Sequence, residues 1–317
     1  MSKITLKKIS DLSGVSIRTV SRALKNQPGV KPEVGRNVLE LARHLGYTPN
    51  VAARNLRMNR SNIVGIIVSQ NYKNSVSGRK VNDLQKRLEE QGFYPLFGLL
   101  PSDSVELRQM LQEWSGLTNT VVFLSWHHQF DPAIAFPGLP QQFIFVDIPE
   151  ISGFHSLSIN RACGIREAIR HFVDSGRRSI ARCGNISSRE LGFAQSFYDC
   201  AEKKVTHFYF EIDTDFESGI NVAPQLFAKN VDAVFFDTDR MAYGFLKYCW
   251  KHGIKVPEQI AVIGFDDDPW CEYSCPSLST VAHPIAAVNK KIVELAVAPS
   301  NPQKIEFPTR FIKRESV

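Results

Sequence analysis

The 317-residue chain lacks any apolar run approaching the roughly 20 residues that a helix needs to cross a bilayer, so no membrane span is expected. Its N-terminus is short and polar and runs straight into a helical pattern. No secretory signal is visible there, which sets a cytoplasmic expectation. Cysteine is sparse: positions 163, 183, 200, 249, 271 and 275, with no CxxC pair. Cys271 and Cys275 stand four apart without a histidine spaced to join them, so buried thiols in a reducing compartment are expected rather than zinc or a disulfide framework. A Gly-rich phosphate loop, HExxH and GxSxG are all missing. The acidic triplet Asp266-Asp267-Asp268 has no second carboxylate cluster or histidine at a spacing that would complete a metal or acid–base centre, and His127-His128 fall in an expected loop. No enzyme, metal or cofactor is expected.

Negative charge is scarce at one end only. The first 60 residues hold twelve Lys and Arg against Asp11, Glu33 and Glu40, a balance of +9, whereas the whole chain is +6. All the excess positive charge therefore lies in the first fifth, as in a nucleic-acid-binding head on a near-neutral body. Within that head, residues 5–24 read TLKKISDLSGVSIRTVSRAL. Leu6, Ile9 and Leu12 share a face of one helix, and Val15, Val20 and Leu24 carry the seam into a second. Gly14 breaks the two, and Ser16 is placed to cap the second through its hydroxyl. Ile17, Arg18, Ser21 and Arg22 are left facing outward, the two arginines four apart on one face. A helix of this kind fits the major groove, where guanidiniums match the O6/N7 edge of guanine. Spacing alone leaves two readings open, a DNA reader and an ordinary helical hairpin with a solvated basic face. A third helix over 32–45 carries Val34, Val38, Leu41 and Leu45 as its stripe.

From Ile63 onward, apolar runs alternate with helical patterns. Strands are expected at 63–69, 94–100, 120–126, 142–148, 179–184, 207–212, 232–237 and 259–265, with helices at 79–91, 104–114, 161–175, 188–202, 217–229 and 240–252. Such alternation builds parallel sheets covered by helices on both faces. About nine strands exceed one compact sheet, so two similar lobes are expected.

The run GVSIRTVSRAL, continued by Gly46-Tyr47-Thr48-Pro49-Asn50, resembles the helix-turn-helix of the lactose-repressor/galactose-repressor (LacI/GalR) family of bacterial regulators. The body resembles the family too: Ile159-Asn160, Gly176-Arg177-Arg178, Arg189-Glu190-Leu191-Gly192-Phe193, Phe216-Glu217-Ser218-Gly219, Val262-Ile263-Gly264-Phe265-Asp266-Asp267, Pro276-Ser277-Leu278 and the closing Ile312-Lys313-Arg314. The resemblance implies a small all-α helix-turn-helix head plus an α/β body made of two Rossmann-like lobes of the periplasmic-binding-protein-like type. It implies a DNA-binding domain at 1–49, a hinge helix at 50–60 and an effector-binding and dimerisation domain at 61–317. Lobe 1 would take about 61–150 and 283–307, lobe 2 about 151–282 and 308–317, with three crossings between them.

The function implied is that of a sequence-specific DNA-binding transcriptional regulator, a repressor by expectation, working as a homodimer on a double-stranded DNA operator. A small-molecule effector, a sugar or derivative, would bind between the lobes. The DNA contacts so implied are Thr5, Ser16, Ile17, Arg18, Thr19, Ser21, Arg22, Asn50, Ala53, Leu56 and Arg57. Leu56 would be a wedge between base pairs, although by itself it reads as a linker residue. The effector contacts so implied are Ser69, Asp147, Arg189, Phe216, Thr238 and Asp266, with Asp239 near the cleft. Residue chemistry alone leaves a second reading open beside these, with a strand-end Asp capping the turn or helix that follows and Phe216 as core. The chain departs from the family in the loop QNYKNSVSG after Ser69, which lacks an asparagine-proline-aromatic motif. It departs also in shortened stretches around 184–189 and 200–206, and at Thr238, where the family often has Asn. The alternatives are a cytoplasmic sugar-binding or signalling module without specific DNA binding, and an enzyme on Rossmann lobes.

Overall fold

The computed structural model describes residues 4–24, 27–47, 61–69, 75–126, 130–148, 150–185, 194, 205–298 and 300–317. The chain divides into two compact units, Met1–Ser61 and Asn62–Val317.

The first unit holds α1 (Leu6–Ser13), α2 (Ile17–Leu24) and α3 (Pro32–His44). Ile9, Val20, Ala23, Val38 and Ala42 form its buried centre, with Leu6, Val15, Leu24, Val34, Leu41 and Leu45 packed around it. The expected apolar stripes are thus correct except at Leu12, which is 53% exposed. The buried face of α1 runs through Leu6, Ile9 and half-buried Ser13, whose hydroxyl bonds to the Ile9 carbonyl, and this turns Leu12 outward. Gly14 closes α1 at φ +70, a conformation that favours glycine.

The second unit contains two six-stranded sheets. The first runs β2 (Tyr94–Leu99), β1 (Ile63–Val68), β3 (Thr120–Phe123), β4 (Gln142–Val146), β5 (His155–Asn160) and β11 (Lys304–Pro308), all parallel. The second runs β7 (Thr206–Phe210), β6 (Ser179–Cys183), β8 (Ala233–Phe236), β9 (Ala261–Asp266), β10 (Ser279–Ala282) and β12 (Arg310–Ile312); only β12 is antiparallel. Central strands such as IVGIIV and AVFF are buried on both faces, whereas the edge strands β2, β7 and β11 are half exposed.

Helices cover both sides of each sheet. In lobe 1, α4 (Ser75–Glu90) and α12 (Ile285–Val297) cover Val64, Ile66 and Val68. On the other face α5 (Ser104–Trp114) and α6 (Pro132–Ala135) cover Ile67, Val121 and Phe123. Trp114 lies so close over Gly65 and Gly98 that a Cβ at either would stand 2.7 Å from its ring. In lobe 2, α7 (Arg161–Asp174) covers Ile180, Phe235 and Ile263. The opposite face takes α9 (Ala223–Ala228), α10 (Asp239–Lys251) and α11 (Trp270–Tyr273), and α8 (Phe216–Asn221) packs against α10.

Three differences from the sequence reading stand out. The first crossover lies at Asn160/Arg161, ten residues later than 150, because β5 pairs with β4 and β11 in the first sheet. The strands β5 and β10 were not read because they bury polar residues. His155, Ser156, Ser279 and Thr280 are all nearly inaccessible and are held by hydrogen bonds rather than by an apolar pattern. The helix expected over 217–229 is two helices, broken at Val222 with Pro224 in the first turn of the second. The helix expected at 188–202 falls outside the described residues apart from Ala194, as do His127 and His128. The later crossings follow β10 and β11 and return the chain to lobe 1 and then to lobe 2.

Candidate functional site

In the head, side chains cap both helices that frame the turn. The Thr5 hydroxyl accepts the Lys8 N–H at 3.3 Å, and the Ser16 hydroxyl accepts the Thr19 N–H at 3.2 Å. Each satisfies a donor that the helix start leaves open. The Ser16 and Thr19 hydroxyls also meet at 2.9 Å. Because α2 buries Val20 and Ala23, its opposite face presents Ile17, 45% exposed, and the exposed Arg18. Leu6, Ile17, Arg18, Ser21, Arg22 and Gln27 line one open concavity of about 560 Å³. Arg22 is half buried rather than free: its Nη2 donates to the Pro28 carbonyl at 2.7 Å, fixing the turn at Gly29. Asn50, Ala53, Leu56 and Arg57 lie outside the described residues.

In the second unit a cleft of about 760 Å³ opens where the two sheets' strand ends face each other. Asp147 follows β4 with φ +60, and Asp266 ends β9 with φ +122. Both are conformations that cost a non-glycine residue stability and that recur at binding sites. Arg161 opens α7 and grips Asp147 with both terminal nitrogens, Nη1 at 2.8 Å. Lys80 of α4 stands 3.8 Å from the same carboxylate. Burial opposes ionisation of Asp147, but the Arg161 hydrogen bonds and charge prevail and hold the carboxyl below its ordinary range. Across the cleft, Arg79 of α4 donates to the carbonyls of Asp266 and Asp267, tying lobe 1 to the strand end of lobe 2.

His283 sits at the second crossover, its Nε2 3.4 Å from the Asp266 carboxylate. Burial drives the His283 pKa down to about 4 against the pull of Asp266, so the imidazole is neutral near pH 7. Asp239 opens α10 and is buried beneath Asp266. Its carboxylate accepts the Thr280 hydroxyl at 2.5 Å and the Asp268 N–H at 2.7 Å. Burial, with the Asp266 charge adding to it, pushes its pKa up to about 7. Gly264 makes room, since a Cβ there would lie 2.2 Å from the Asp239 carboxylate.

Of the sequence-derived effector residues, the cleft brings together Asp147, Thr238 and Asp266. Thr238 also caps α10 by accepting the Met241 N–H. Phe216 is not among the lining residues; its ring lies beneath the Lys247 ammonium at 5.3 Å. Ser69 is not among them either, and its N–H donates to the Ser125 hydroxyl at 2.9 Å. Arg189 lies outside the described residues. Sequence reasoning missed Lys80, Arg161, Arg240, Asp268 and His283 as cleft residues. The one signal available was position, since Arg161 and His283 directly follow strands. Among the described residues, no group of three or more His, Cys, Asp or Glu is arranged to hold a metal ion, and no helix is long and apolar enough to cross a membrane.

Comparison with known proteins places both parts. Residues 5–50 match the model of bacterial regulatory proteins of the lacI family, and residues 169–317 match a periplasmic binding protein-like domain. A probable HTH-type transcriptional repressor, ExuR of Bacillus subtilis, is 29% identical and aligns over 99% of this chain and 98% of its own. The HTH-type transcriptional regulator GntR of Pseudomonas aeruginosa is 28% identical over 93% of this chain and 88% of its own. Among solved structures, the Lac repressor dimer bound to operator and an anti-inducer superposes with a TM-score of 0.80 at 20% identity, covering 99% of both chains. The complex of the regulator CelR with cellobiose gives 0.67 at 23% identity, covering 99% of this chain and 100% of the other. With a helix-turn-helix head at its start and a two-lobed periplasmic-binding-protein-like body behind it, the chain belongs to the LacI family of bacterial regulatory proteins.

Proposed function

We propose that the chain is a sequence-specific DNA-binding transcriptional regulator, a repressor, whose affinity for its operator is set by a sugar or sugar derivative held between the two lobes. The observation that carries this reading is the second helix of the head. One face of it is locked into a small core, and the other offers Ile17 and Arg18 to solvent beside a concavity edged by Ser21 and Arg22. A capped helix with an exposed arginine near its N-terminus is the form that reads base edges in the major groove. Related regulators have been seen with cellobiose and with ribose, and the polar, carboxylate-rich cleft suits hydroxyl groups that donate to charged oxygens.

The protein works as a homodimer on a near-palindromic site, with residues 50–60 as the hinge and Leu56 as the wedge into the minor groove. It is not an enzyme, and it acts in the cytoplasm. Selection from a random duplex library tests the reading. The wild-type protein enriches one palindromic motif, and Arg18→Ala costs on the order of 1–3 kcal/mol and relaxes preference at one base position. A library that emerges without any enriched motif refutes it and favours a sugar-binding module without specific DNA recognition.

A further inference from the structure

The second crossover, between β10 and α12, sits inside a closed circuit of polar contacts that joins the lobes. Arg79, in the second turn of α4, reaches from lobe 1 to the turn that follows β9 in lobe 2. Its Nη1 donates to the Asp267 carbonyl at 2.6 Å and its Nη2 to the Asp266 carbonyl. The Asp266 carboxylate meets the Nε2 of His283, on the crossover itself, at 3.4 Å. The crossover feeds α12, where the buried Asn289 donates from its Nδ2 to the Lys80 carbonyl and the Asp83 carboxylate, both at 2.9 Å and both on α4. The circuit thus returns to the helix from which it started.

The turn that Arg79 grips needs holding. Asp266 and Asp267 stand at φ +122 and +52, where non-glycine residues persist only if their surroundings fix them. Lobe 2 holds the turn by its N–H groups and side chains. The Asp267 N–H donates to the Thr280 hydroxyl, the Asp268 N–H to the Asp239 carboxylate, and Arg314 to the Asp267 carboxylate. Arg79 takes the carbonyls, and it comes from lobe 1. Its Nε is buried with no hydrogen-bond partner among the described residues, so the guanidinium has been drawn out of water at this joint. Burying such a donor is unfavourable, and the two carbonyls offset that only while the lobes keep the relation that brings both within reach. The first and third crossovers are tied differently. The Thr309 hydroxyl accepts the Gly164 N–H at 3.1 Å, and the Thr309 N–H donates to the Asn160 carbonyl at 3.0 Å. That tie links crossover to crossover, not a helix of one lobe to a strand end of the other.

We infer that Arg79 is a hinge brace. It sets the angle between the lobes through protein atoms alone, and the lobes part only when its guanidinium lets go of the Asp266–Asp267 turn. Because Asp266 also lines the cleft, a ligand that draws on its carboxylate loads the same turn that Arg79 holds. The brace works whichever ligand the cleft takes, and so stands apart from the sugar reading.

Hydrogen exchange of the full-length protein, followed by mass spectrometry, tests it on Arg79→Met and on Arg79→Lys, which keeps the charge but not the two-pronged reach. In both variants the amides of the first and third crossovers, 159–164 and 309–311, exchange about 5-fold or more faster than in wild type, although both lie outside the circuit. Amides of β3 and β8, in the cores of the two lobes, keep their wild-type rates. Unchanged crossover rates in a folded variant overturn the inference. So does acceleration confined to the 266–268 turn, the mark of a local prop, or acceleration shared equally by β3 and β8, the mark of a general loss of stability. If Arg79→Met does not fold, Arg79→Lys decides by the same rates.

Discussion

At the residue scale, the most consequential pair is hidden. Arg182 and Asp237 are fully buried and joined by two hydrogen bonds of 2.9 and 2.8 Å, with the Arg182 guanidinium also over the Tyr209 ring. Arg182 lies near the end of β6, and Asp237 directly follows β8, just before Thr238 and Asp239 in the chain. Removing one partner leaves a charge without compensation in a dry site, so Arg182→Met lowers unfolding free energy by about 3–5 kcal/mol in urea melts. A melt matching wild type would remove the pair from the account of lobe 2. Asp239 supplies a pH signature. Its folded pKa, about 7, lies above its ordinary value of 3.8, so the folded state retains a proton that the unfolded chain gives up. Stability therefore falls as pH rises from about 4 through about 7, and Asp239→Asn flattens that slope between melts at about pH 5 and about pH 8. A slope unchanged by the substitution would assign it elsewhere. Asp147 and Asp266 were legible in the sequence because an Asp at a strand end in a doubly wound sheet stands at the cleft. Lys80 and His283 were not, because nothing local to a helix face or a crossover says which lobe it will meet. For Phe216 a helix start alone does not tell which way a ring turns, and here it lies under Lys247.

At the element scale, the contact between α8 and α10 depends on two glycines. A Cβ on Gly219 would fall 1.9 Å from the Met241 carbonyl oxygen, and one on Gly244 would fall 1.9 Å from that of Phe216. The two helices therefore touch backbone to backbone. Gly244→Ala must push them apart, at a cost of about 1–3 kcal/mol and a lowered melting temperature. An unshifted melting curve would show that the helices part freely. Strands with a continuous apolar run, such as β1, β8 and β9 up to its closing Asp266, were readable from composition. The strands β5 and β10 were not, because hydrogen bonds from Ser156, Ser279 and Thr280 to residues distant in the sequence replace the apolar pattern that a sequence displays. Residues 50–60 lie outside the described residues, and the hinge expected there rests on family resemblance alone, since so short a helix has little stability in water by itself. If it seats Leu56 between base pairs, Leu56→Ala weakens operator binding and lessens the bend measured by end-to-end energy transfer on a labelled duplex. A wild-type bend would count against the wedge.

At the scale of the whole molecule, charge and architecture divide the labour. All the excess positive charge sits in the first 60 residues, and the carboxylate-rich cleft sits in the body. Within the body, the chain passes three times between lobes, and Arg79 ties the α4 of lobe 1 to the strand end that carries Asp266. A ligand that touches both lobes alters how they close, and only a difference in affinity between closed and open forms reaches the DNA. The measurement that bears most directly on this account is the affinity of the full-length protein for its selected duplex, read by fluorescence anisotropy at fixed salt with and without saturating sugars and sugar acids. At least one ligand shifts operator affinity by about 5-fold or more, and Asp266→Asn abolishes the shift without altering affinity in its absence. Operator affinity that no ligand moves, from a protein shown by calorimetry to bind one, would contradict the account.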